Sequence, residues 1–379
     1  MLMPVTARIF ERRTVSVGSV RLEGGGTLPE VEVAMETAGR APEPDGSNVV
    51  VVCHALTGDA HAVGDEEDPG WWDGLVGSGK AVDTDRFHVV TMNVLAGCNG
   101  TTGPSSVNPD TGRPYGSSFP FVSIRDMVHV QKRVLEQLGI DRVNMLIGGS
   151  MGGMMVLEWG VMFPRFARKL VPIATASSLT PTAIAYNDIG RQAILSDPDY
   201  QGGHYYPGQG PVNGMALARM TAMVTYRTPQ LFEKRFSRKL QAEGPVTRMN
   251  SLFQVESYLR YQGKKLVDRF DANSYLYLLK AMDTHDLGRG RGGVEKALSR
   301  VEAEVLVIGI REDQLFPIHQ QRELHQTLSR LGKSCDLLEI SSDYGHDAFL
   351  VDFEETGERI RSFLETYEVQ SGSPKDRVG

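Results

Sequence analysis

Short apolar runs mark the chain up to residue 173 and again from residue 305. They cover residues 48–53, 88–92, 146–149, 169–173, 305–310 and 336–340. Runs rich in valine, leucine and isoleucine are typical of parallel strands buried on both faces. Between the second and third runs, apolar residues recur at helical spacing from a capped start at Ser123 and Asp126 to a stop at Gly139. This alternation predicts a mostly parallel, doubly wound α/β sheet.

Residues from about 175 to 300 follow a different pattern. No strand is predicted there, whereas 215–226 and 273–282 have helical patterns. We therefore predict a core domain formed by residues 1–176 and 300–369, a helical lid domain inserted as 177–299, and a disordered tail at 370–379. Residues 288–293 match Gly-x-Gly-x-x-Gly but follow no strand, so we interpret them as a flexible return to the core and not as a dinucleotide site.

The pattern Gly-x-Ser-x-Gly surrounds Ser150, between an apolar run and a helix-forming segment at 154–159. In this setting the pentapeptide predicts a nucleophile elbow, a strained turn that lifts Ser150 Oγ above the sheet. The helix that follows offers its N-terminal N–H groups and its dipole to a developing oxyanion. A plain glycine-rich turn has the same letters, so Ser150 needs catalytic partners elsewhere in the chain.

Suitable partners follow two later strands. Asp313 lies just after the run 305–310, and His346 lies in the loop after 336–340. The order Ser, Asp, His is that of α/β-hydrolase folds, and all three residues then meet at one edge of the sheet. Glu312 competes with Asp313, which we prefer because Phe316 and Pro317 follow as the chain turns. The remaining histidines include His319 and His325, which lie in or beside an ordinary amphipathic helix and are interpreted as structural.

Acyl transfer also needs an oxyanion hole with two donors. The N–H of Met151, directly after the nucleophile, is one candidate. The second should come from the loop after an early strand, and residues 54–59 follow the valine run 49–52. We therefore predict Leu56 N–H as the second donor, the alternative for this segment being a plain turn.

Composition narrows the class of protein. The 379-residue chain has a net charge of −7, which argues against a nucleic-acid partner but leaves open a local basic patch for a phosphorylated cofactor. Cys53, Cys98 and Cys335 are widely spaced, so we expect no disulfide framework, no metal site and a reducing, cytoplasmic location. No signal-like segment or membrane-length apolar stretch is present in the sequence.

Several longer stretches carry a resemblance to a known family. They are residues 54–59, Gly70-Trp71-Trp72-Asp73, 83–87, Asn93-Val94-Leu95-Ala96-Gly97-Cys98, 100–106, 148–154, 270–275 and Gly345-His346-Asp347-Ala348-Phe349-Leu350. Together they resemble homoserine O-acetyltransferase from about residue 15 to 367.

The resemblance implies an α/β-hydrolase fold that transfers an acetyl group from acetyl-CoA to the hydroxyl of L-homoserine, a step towards methionine. No permanently bound cofactor is implied. The family's catalytic triad maps onto Ser150, Asp313 and His346, and its substrate contacts map onto Arg219 and Asp347. A guanidinium suits the substrate carboxylate and a carboxylate suits its ammonium group. Members of the family also tend to form homodimers through the lid helices.

Two departures and several alternatives accompany this interpretation. Ala96 stands where the family usually has a second glycine, and Met155 stands where glutamine is common, which bears on acyl or acceptor preference more than on the triad. Relatives that use succinyl-CoA, or serine in place of homoserine, remain alternatives. A serine hydrolase, an esterase or thioesterase, would share the same triad. A non-catalytic binding role is the weakest alternative, because all three triad positions are filled.

Overall fold

The computed structural model describes residues 10–243 and 246–365. The predicted tail at 370–379 and the ends of the predicted core, 1–9 and 366–369, lie outside these residues. Twelve strands lie in the described part: β1 Phe10–Arg21, β2 Thr27–Gly39, β3 Val49–Cys53, β4 Val76–Gly77, β5 Val82–Asp83, β6 His88–Met92, β7 Val107–Asn108, β8 Arg113–Pro114, β9 Val143–Gly149, β10 Ala167–Ile173, β11 Glu304–Ile310 and β12 Cys335–Ile340.

The helices fall into two groups. Those of the core are α1 Ile124–Gln137, α2 Met151–Met162, α9 Ile318–Arg330, α10 Ala348–Val351 and α11 Glu354–Glu365. Those between β10 and β11 are α3 Pro181–Leu195, α4 Val212–Tyr226, α5 Pro229–Arg235, α6 Gln254–Val267, α7 Ala272–Asp283 and α8 Val294–Leu298. The second group lies within residues 177–299, the segment interpreted from the sequence as a helical lid. None of the described helices is long and apolar enough to cross a membrane.

The main sheet has eight strands in the order β1-β2-β6-β3-β9-β10-β11-β12. All neighbours from β6 to β12 pair in parallel, whereas β1 pairs with β2 and β2 with β6 in antiparallel fashion. The prediction of a mostly parallel α/β sheet is therefore confirmed. Valines 49–52 are fully buried in β3 because helices cover both faces of the sheet.

The long β1–β2 hairpin was not predicted from the sequence. Its buried positions alternate with exposed ones, as at Val31, Val33 and Met35 in β2, so one face of the hairpin packs on the core. Register shifts around Gly18 interrupt the pairing of β1, and this irregularity weakens the alternation in the sequence.

Helix α1 illustrates how local chemistry sets an element's ends. The Ser123 hydroxyl accepts from the Asp126 N–H, and the Asp126 carboxylate accepts from the Ser123 N–H at 2.8 Å, which completes the predicted capping box. At the other end Gly139 adopts φ 72°, a left-handed conformation that stops the helix. The helix packs against α2 and so supports the segment that follows Ser150.

A buried lysine anchors the C-terminal helix. Lys169 of β10 is fully buried, and its Nζ donates to Phe363 O at 2.5 Å and Leu364 O at 3.0 Å, in the last turn of α11. The two carbonyls accept from a buried ammonium, and these bonds offset the cost of burying its charge.

Lys169→Met is expected to lower the free energy of unfolding by about 1–3 kcal/mol, because it removes two buried hydrogen bonds to the carbonyls of Phe363 and Leu364. Chemical denaturation would measure the change, and hydrogen exchange of the amides in α11 would localise it. Lys265→Met, at an exposed position on lid helix α6, serves as the control. Equal stability and equal protection of α11 in both variants would contradict this role for Lys169.

Candidate active site

Ser150 occupies the turn between β9 and α2 with φ 57° and ψ −121°. A residue other than glycine is strained in this region, and the strain is typical of a nucleophile elbow. The turn is held from both sides of the residue: Ser150 N–H donates to Ile173 O, and Ser150 O accepts from Thr175 Oγ1, each at 2.9 Å. Ser150 is 4% exposed, so the hydroxyl faces an enclosed space.

The glycines around Ser150 are required by packing. A β-carbon at any of the four positions would lie closer to a neighbouring atom than real contacts allow. The distances are 2.7 Å from Gly148 to Cys53 O, 2.4 Å from Gly149 to the Phe349 ring, 2.1 Å from Gly152 to Cys53 O and 2.6 Å from Gly153 to Thr175 Cβ. The elbow therefore packs directly on the end of β3 and on the segment after His346.

Asp313 and His346 form a buried pair. His346 Nδ1 lies 2.7 Å from Asp313 Oδ2, and both residues are 4% exposed. The other carboxylate oxygen of Asp313 accepts from the N–H groups of Leu315 and Phe316, each at 2.8 Å. Because the carboxylate is fixed by these bonds, the pair holds the imidazole in one orientation.

Glu312, the alternative acid, faces away from the histidine. Its carboxylate accepts from Ser341 Oγ at 2.6 Å and from Ser342 N–H at 2.9 Å. Glu312 thus anchors the loop that leads to His346, and Asp313 alone of the two contacts the imidazole.

Aromatic rings enclose the imidazole of His346. Phe316 stacks on it at 5.3 Å between ring centroids, with Phe349 at 5.5 Å and Tyr226 at 5.6 Å. Phe349 also lies against Gly149, the residue before Ser150. The Phe349 ring therefore packs against both the imidazole and the elbow. No hydrogen bond joins Ser150 Oγ to His346 among the described residues, and such contacts commonly tighten only when substrate binds.

The two predicted oxyanion donors belong to segments that meet at the elbow, because the backbone of Cys53 and His54 lies against Gly152. Met151 is the first residue of α2, so its N–H is free of the helix ladder. Leu56 lies in the loop after β3. His54 shapes this loop: its Nε2 accepts from Val94 N–H at 3.1 Å, and its Nδ1 lies 2.7 Å from Ala55 O. Burial lowers the pKa of His54, so the neutral imidazole bridges the two loops.

Arg219 and Asp347 each lie next to one member of the Tyr226–His346 pair. The Arg219 guanidinium lies over the Tyr226 ring at 5.5 Å, and Asp347 directly follows His346. Burial raises the pKa of Asp347, although Arg227 and Arg219 oppose that rise. The structure thus brings both predicted substrate contacts to the edge of the sheet where the triad lies.

Arg227 was not predicted as part of the site. Its Nε lies 2.9 Å from Asp347 Oδ2, and its guanidinium lies over Tyr344. The neighbouring Thr228 Oγ1 donates to Asp343 O at 2.5 Å, which ties the lid to the loop carrying His346. Arg227 comes directly after α4 in the sequence, and nothing in the sequence distinguishes it from a surface arginine.

The electrostatics of His346 lead to a prediction of pH dependence. Burial would lower the pKa of His346, but the carboxylates of Asp313 and Asp347 outweigh burial and raise the pKa above its ordinary 6.5. A general base must be neutral, so kcat/KM should fall as the pH drops through a midpoint above 6.5.

A kcat/KM profile against pH measures this midpoint. Asp347→Asn removes one of the two carboxylates, so its profile, although lower overall, should have its midpoint at lower pH. A wild-type midpoint below 6.5, or one unmoved in Asp347→Asn, would contradict this account of the His346 pKa.

The two departures from the family pattern occupy buried positions. Ala96 adopts φ 70°, a conformation that glycine accepts without strain, which explains why glycine is usual there. Met155 lies on α2, where Gln131 Nε2 lies 3.8 Å from its sulfur.

The run 288–293 is a turn closed by backbone hydrogen bonds, and it lies between Asp286 and α8 without a preceding strand.

Comparison with known proteins finds relatives that match most of the chain. A family model for the alpha/beta hydrolase fold matches residues 48–353. The homoserine O-acetyltransferase of Symbiobacterium thermophilum is 49% identical over 97% of this chain and 98% of its own length. That of Carboxydothermus hydrogenoformans is 46% identical over 94% of this chain and 96% of its own.

Solved structures add two similar folds. The crystal structure of homoserine O-acetyltransferase from Bacillus anthracis has a TM-score of 0.89 and 30% identity, and covers 95% of this chain and 98% of that one. Esterase E22 has a TM-score of 0.87 and 32% identity over 94% of this chain and 100% of its own. The fold, the long motifs and the extent of identity together place this chain in the homoserine O-acetyltransferase family, acyltransferases with the α/β-hydrolase fold.

Proposed function

We propose that this protein transfers an acetyl group from acetyl-CoA to the hydroxyl of L-homoserine, giving O-acetyl-L-homoserine for methionine biosynthesis, through an acyl-Ser150 intermediate. The observation that carries the proposal is the buried Asp313–His346 pair beside the Ser150 elbow. Homoserine is a zwitterion, and Arg219 and Asp347 supply the opposite charges near the same imidazole. Acetyl-CoA is a substrate here and not a resident cofactor.

In the first half-reaction, His346 takes the proton of Ser150 as Oγ attacks the thioester carbonyl. His346 Nδ1 is committed to Asp313, so Nε2 is the nitrogen left for the serine. The N–H groups of Leu56 and Met151 stabilise the oxyanion, each donor being worth about 10²–10³ in rate. The C–S bond then breaks, and the CoA thiolate receives the proton from His346, leaving acyl-Ser150.

In the second half-reaction, homoserine occupies the place that CoA has left. Arg219 binds its carboxylate and Asp347 binds its ammonium group. The ion pair between Arg227 Nε and Asp347 Oδ2 keeps the Asp347 carboxylate oriented. His346 takes the proton of the homoserine hydroxyl, the new C–O bond forms, and the bond to Ser150 Oγ breaks with return of the proton. The two substrates react in turn, so the kinetics should be ping-pong.

Hydrolysis is the second candidate function, because the similar fold of esterase E22 belongs to a protein named as an esterase. In a hydrolase, water would attack the acyl-serine in place of the amino acid. The charged pair Arg219 and Asp347 favours transfer, because an uncharged ester or water needs neither side chain.

The deciding experiment pairs acetyl-CoA and succinyl-CoA with homoserine, serine and water, following thiol release and product mass. The proposal predicts fast thiol release only with acetyl-CoA and homoserine together, and O-acetylhomoserine as the product. Preference for succinyl-CoA or serine would show that the proposed substrates are wrong. Equal thiol release with and without an amino acid would show that the enzyme hydrolyses the thioester and does not transfer the acyl group.

Arg219→Met gives a sharper test of amino-acid recognition. Loss of a charged hydrogen bond to the carboxylate should raise KM for homoserine roughly 10- to 100-fold and leave the acetylation of Ser150 unchanged. Arg260→Met, on lid helix α6 and 63% exposed, is the matched control. An unchanged KM in Arg219→Met would remove Arg219 from the substrate site.

We also infer that the protein is a cytoplasmic homodimer joined through its lid. The three cysteines carry free thiols, which suits a reducing compartment. Several apolar side chains on α3, α4 and α6 are at least half exposed: Ile189, Leu217, Val224 and Tyr261. Light scattering should give twice the chain mass, and Ile189→Glu with Leu217→Glu should give a monomer. A monomeric wild type would rule out this assembly.

A further inference from the structure

A cavity of about 470 Å³ lies at the junction of the core with the end of the lid. Its wall includes Met162 and Phe163 at the end of α2, whereas Ser150 precedes the first residue of that helix. The 12 residues of α2 span roughly 18 Å, so the cavity is well separated from the catalytic serine. Its volume falls within the range of small-molecule binding sites.

Arginine side chains dominate the charge of this cavity. The charged residues that line it are Arg21, Arg125, Arg291, Arg300, Glu23 and Asp126. The chain as a whole carries a net charge of −7, so this concentration of guanidinium groups is a local feature.

Both carboxylates at the cavity are already bound by groups other than Arg21 and Arg300. Glu23 accepts from Arg125 Nη1 at 2.8 Å and from Arg289 Nη2 at 3.0 Å. Asp126 accepts from the N–H groups of Ser123 and Glu23, each at 2.8 Å, as part of the α1 cap. Neither carboxylate is paired with Arg21 or Arg300.

A buried glutamate fixes the other two arginines. Glu158 of α2 is fully buried, and its carboxylate lies 3.0 Å from Arg125 Nε and 2.7 Å from Arg291 Nη2. These two guanidiniums therefore form a rigid wall. Arg21 and Arg300 are exposed and form no ion pair within residues 10–243 and 246–365, so they are available to a ligand.

We propose that this cavity binds a small organic anion, a carboxylate or phosphate ester with an apolar body. Arg21 and Arg300 bind the anionic group, because a guanidinium presents paired N–H donors to two oxygens. Leu22, Met162 and Phe163 line the same cavity and contact the apolar body. The site acts independently of the triad.

Isothermal titration of the full-length protein with phenyl phosphate at constant ionic strength tests this proposal. Phenyl phosphate should bind at one site per chain, at least about tenfold more tightly than inorganic phosphate, which lacks the apolar ring. Arg21→Met with Arg300→Met should weaken binding at least about tenfold. Arg113→Met with Arg330→Met, two exposed arginines elsewhere, is the matched control.

The catalytic residues provide the second part of the test. Ser150→Ala and saturating acetyl-CoA should leave the affinity for phenyl phosphate unchanged, and the Arg21/Arg300 variant should keep the acyltransferase activity. Three results would overturn the proposal: no saturable binding at about 10 mM, equal affinity in both double variants, or displacement of phenyl phosphate by acetyl-CoA.

Discussion

Ser150→Ala is expected to reduce acyl transfer by about 10⁴- to 10⁶-fold, because the variant has no oxygen to accept the acyl group. Alanine carries the same β-carbon as serine and meets the same backbone strain at φ 57°, so the fold should be retained. Thiol release from acetyl-CoA and the thermal midpoint of unfolding measure the two effects.

Mass spectrometry of the protein mixed with acetyl-CoA alone completes this test. The wild type should gain the mass of one acetyl group on the peptide that contains Ser150, and Ser150→Ala should gain none. Ser329→Ala, an exposed serine on α9, should behave as the wild type. An active Ser150→Ala variant, or an acetyl group at another residue, would refute the acyl-serine mechanism.

Asp313→Asn is expected to lower kcat about 10⁴-fold, as the corresponding change does in serine proteases. The asparagine can still accept from Leu315 and Phe316, but its NH₂ group would donate to His346 Nδ1. That bond places the ring proton on Nε2, so no acceptor remains for the Ser150 hydroxyl. Steady-state kinetics measure the loss.

Glu312→Gln is the matched control for Asp313→Asn. Its amide oxygen can keep one of the two bonds to the Ser341–Ser342 segment, and it does not touch His346. We expect a change of no more than about threefold in kcat. Comparable losses of kcat in the two variants would show that the loop carrying Glu312 and Asp313 supports catalysis as a whole, and that the Asp313 carboxylate has no special role.

The predictable parts of the fold are those whose signal is local. The valine run in β3 and the capping box at Ser123 each combine apolar spacing with a specific boundary residue, and the structure has both elements where the sequence predicts them. The β1–β2 hairpin lacks such a signal, because half of its residues face solvent and a bulge near Gly18 shifts its register.

The residues of the candidate site can be divided in the same way, into those with a local sequence signal and those without one. Asp313 and His346 were predicted because each follows a strand, and parallel strands carry their loops to one edge of the sheet. Arg227 was missed because its partner Asp347 lies far away in sequence, on a different unit of the fold. A contact between the lid and the core has no period along the chain, and only the folded structure brings its two members together.

The crowding around Gly148, Gly149, Gly152 and Gly153 limits how this enzyme can be re-engineered. Libraries that diversify the elbow will yield mainly misfolded clones, since each added methyl group must displace the β3 terminus, Phe349 or Thr175. Substitutions meant to widen the space beside the catalytic residues are better placed in the lid, where Tyr226 of α4 lies 5.6 Å from the His346 ring. When the preference for the acyl donor changes during evolution, we therefore expect the substitutions in residues 177–299 and not in β9, which leads into Ser150.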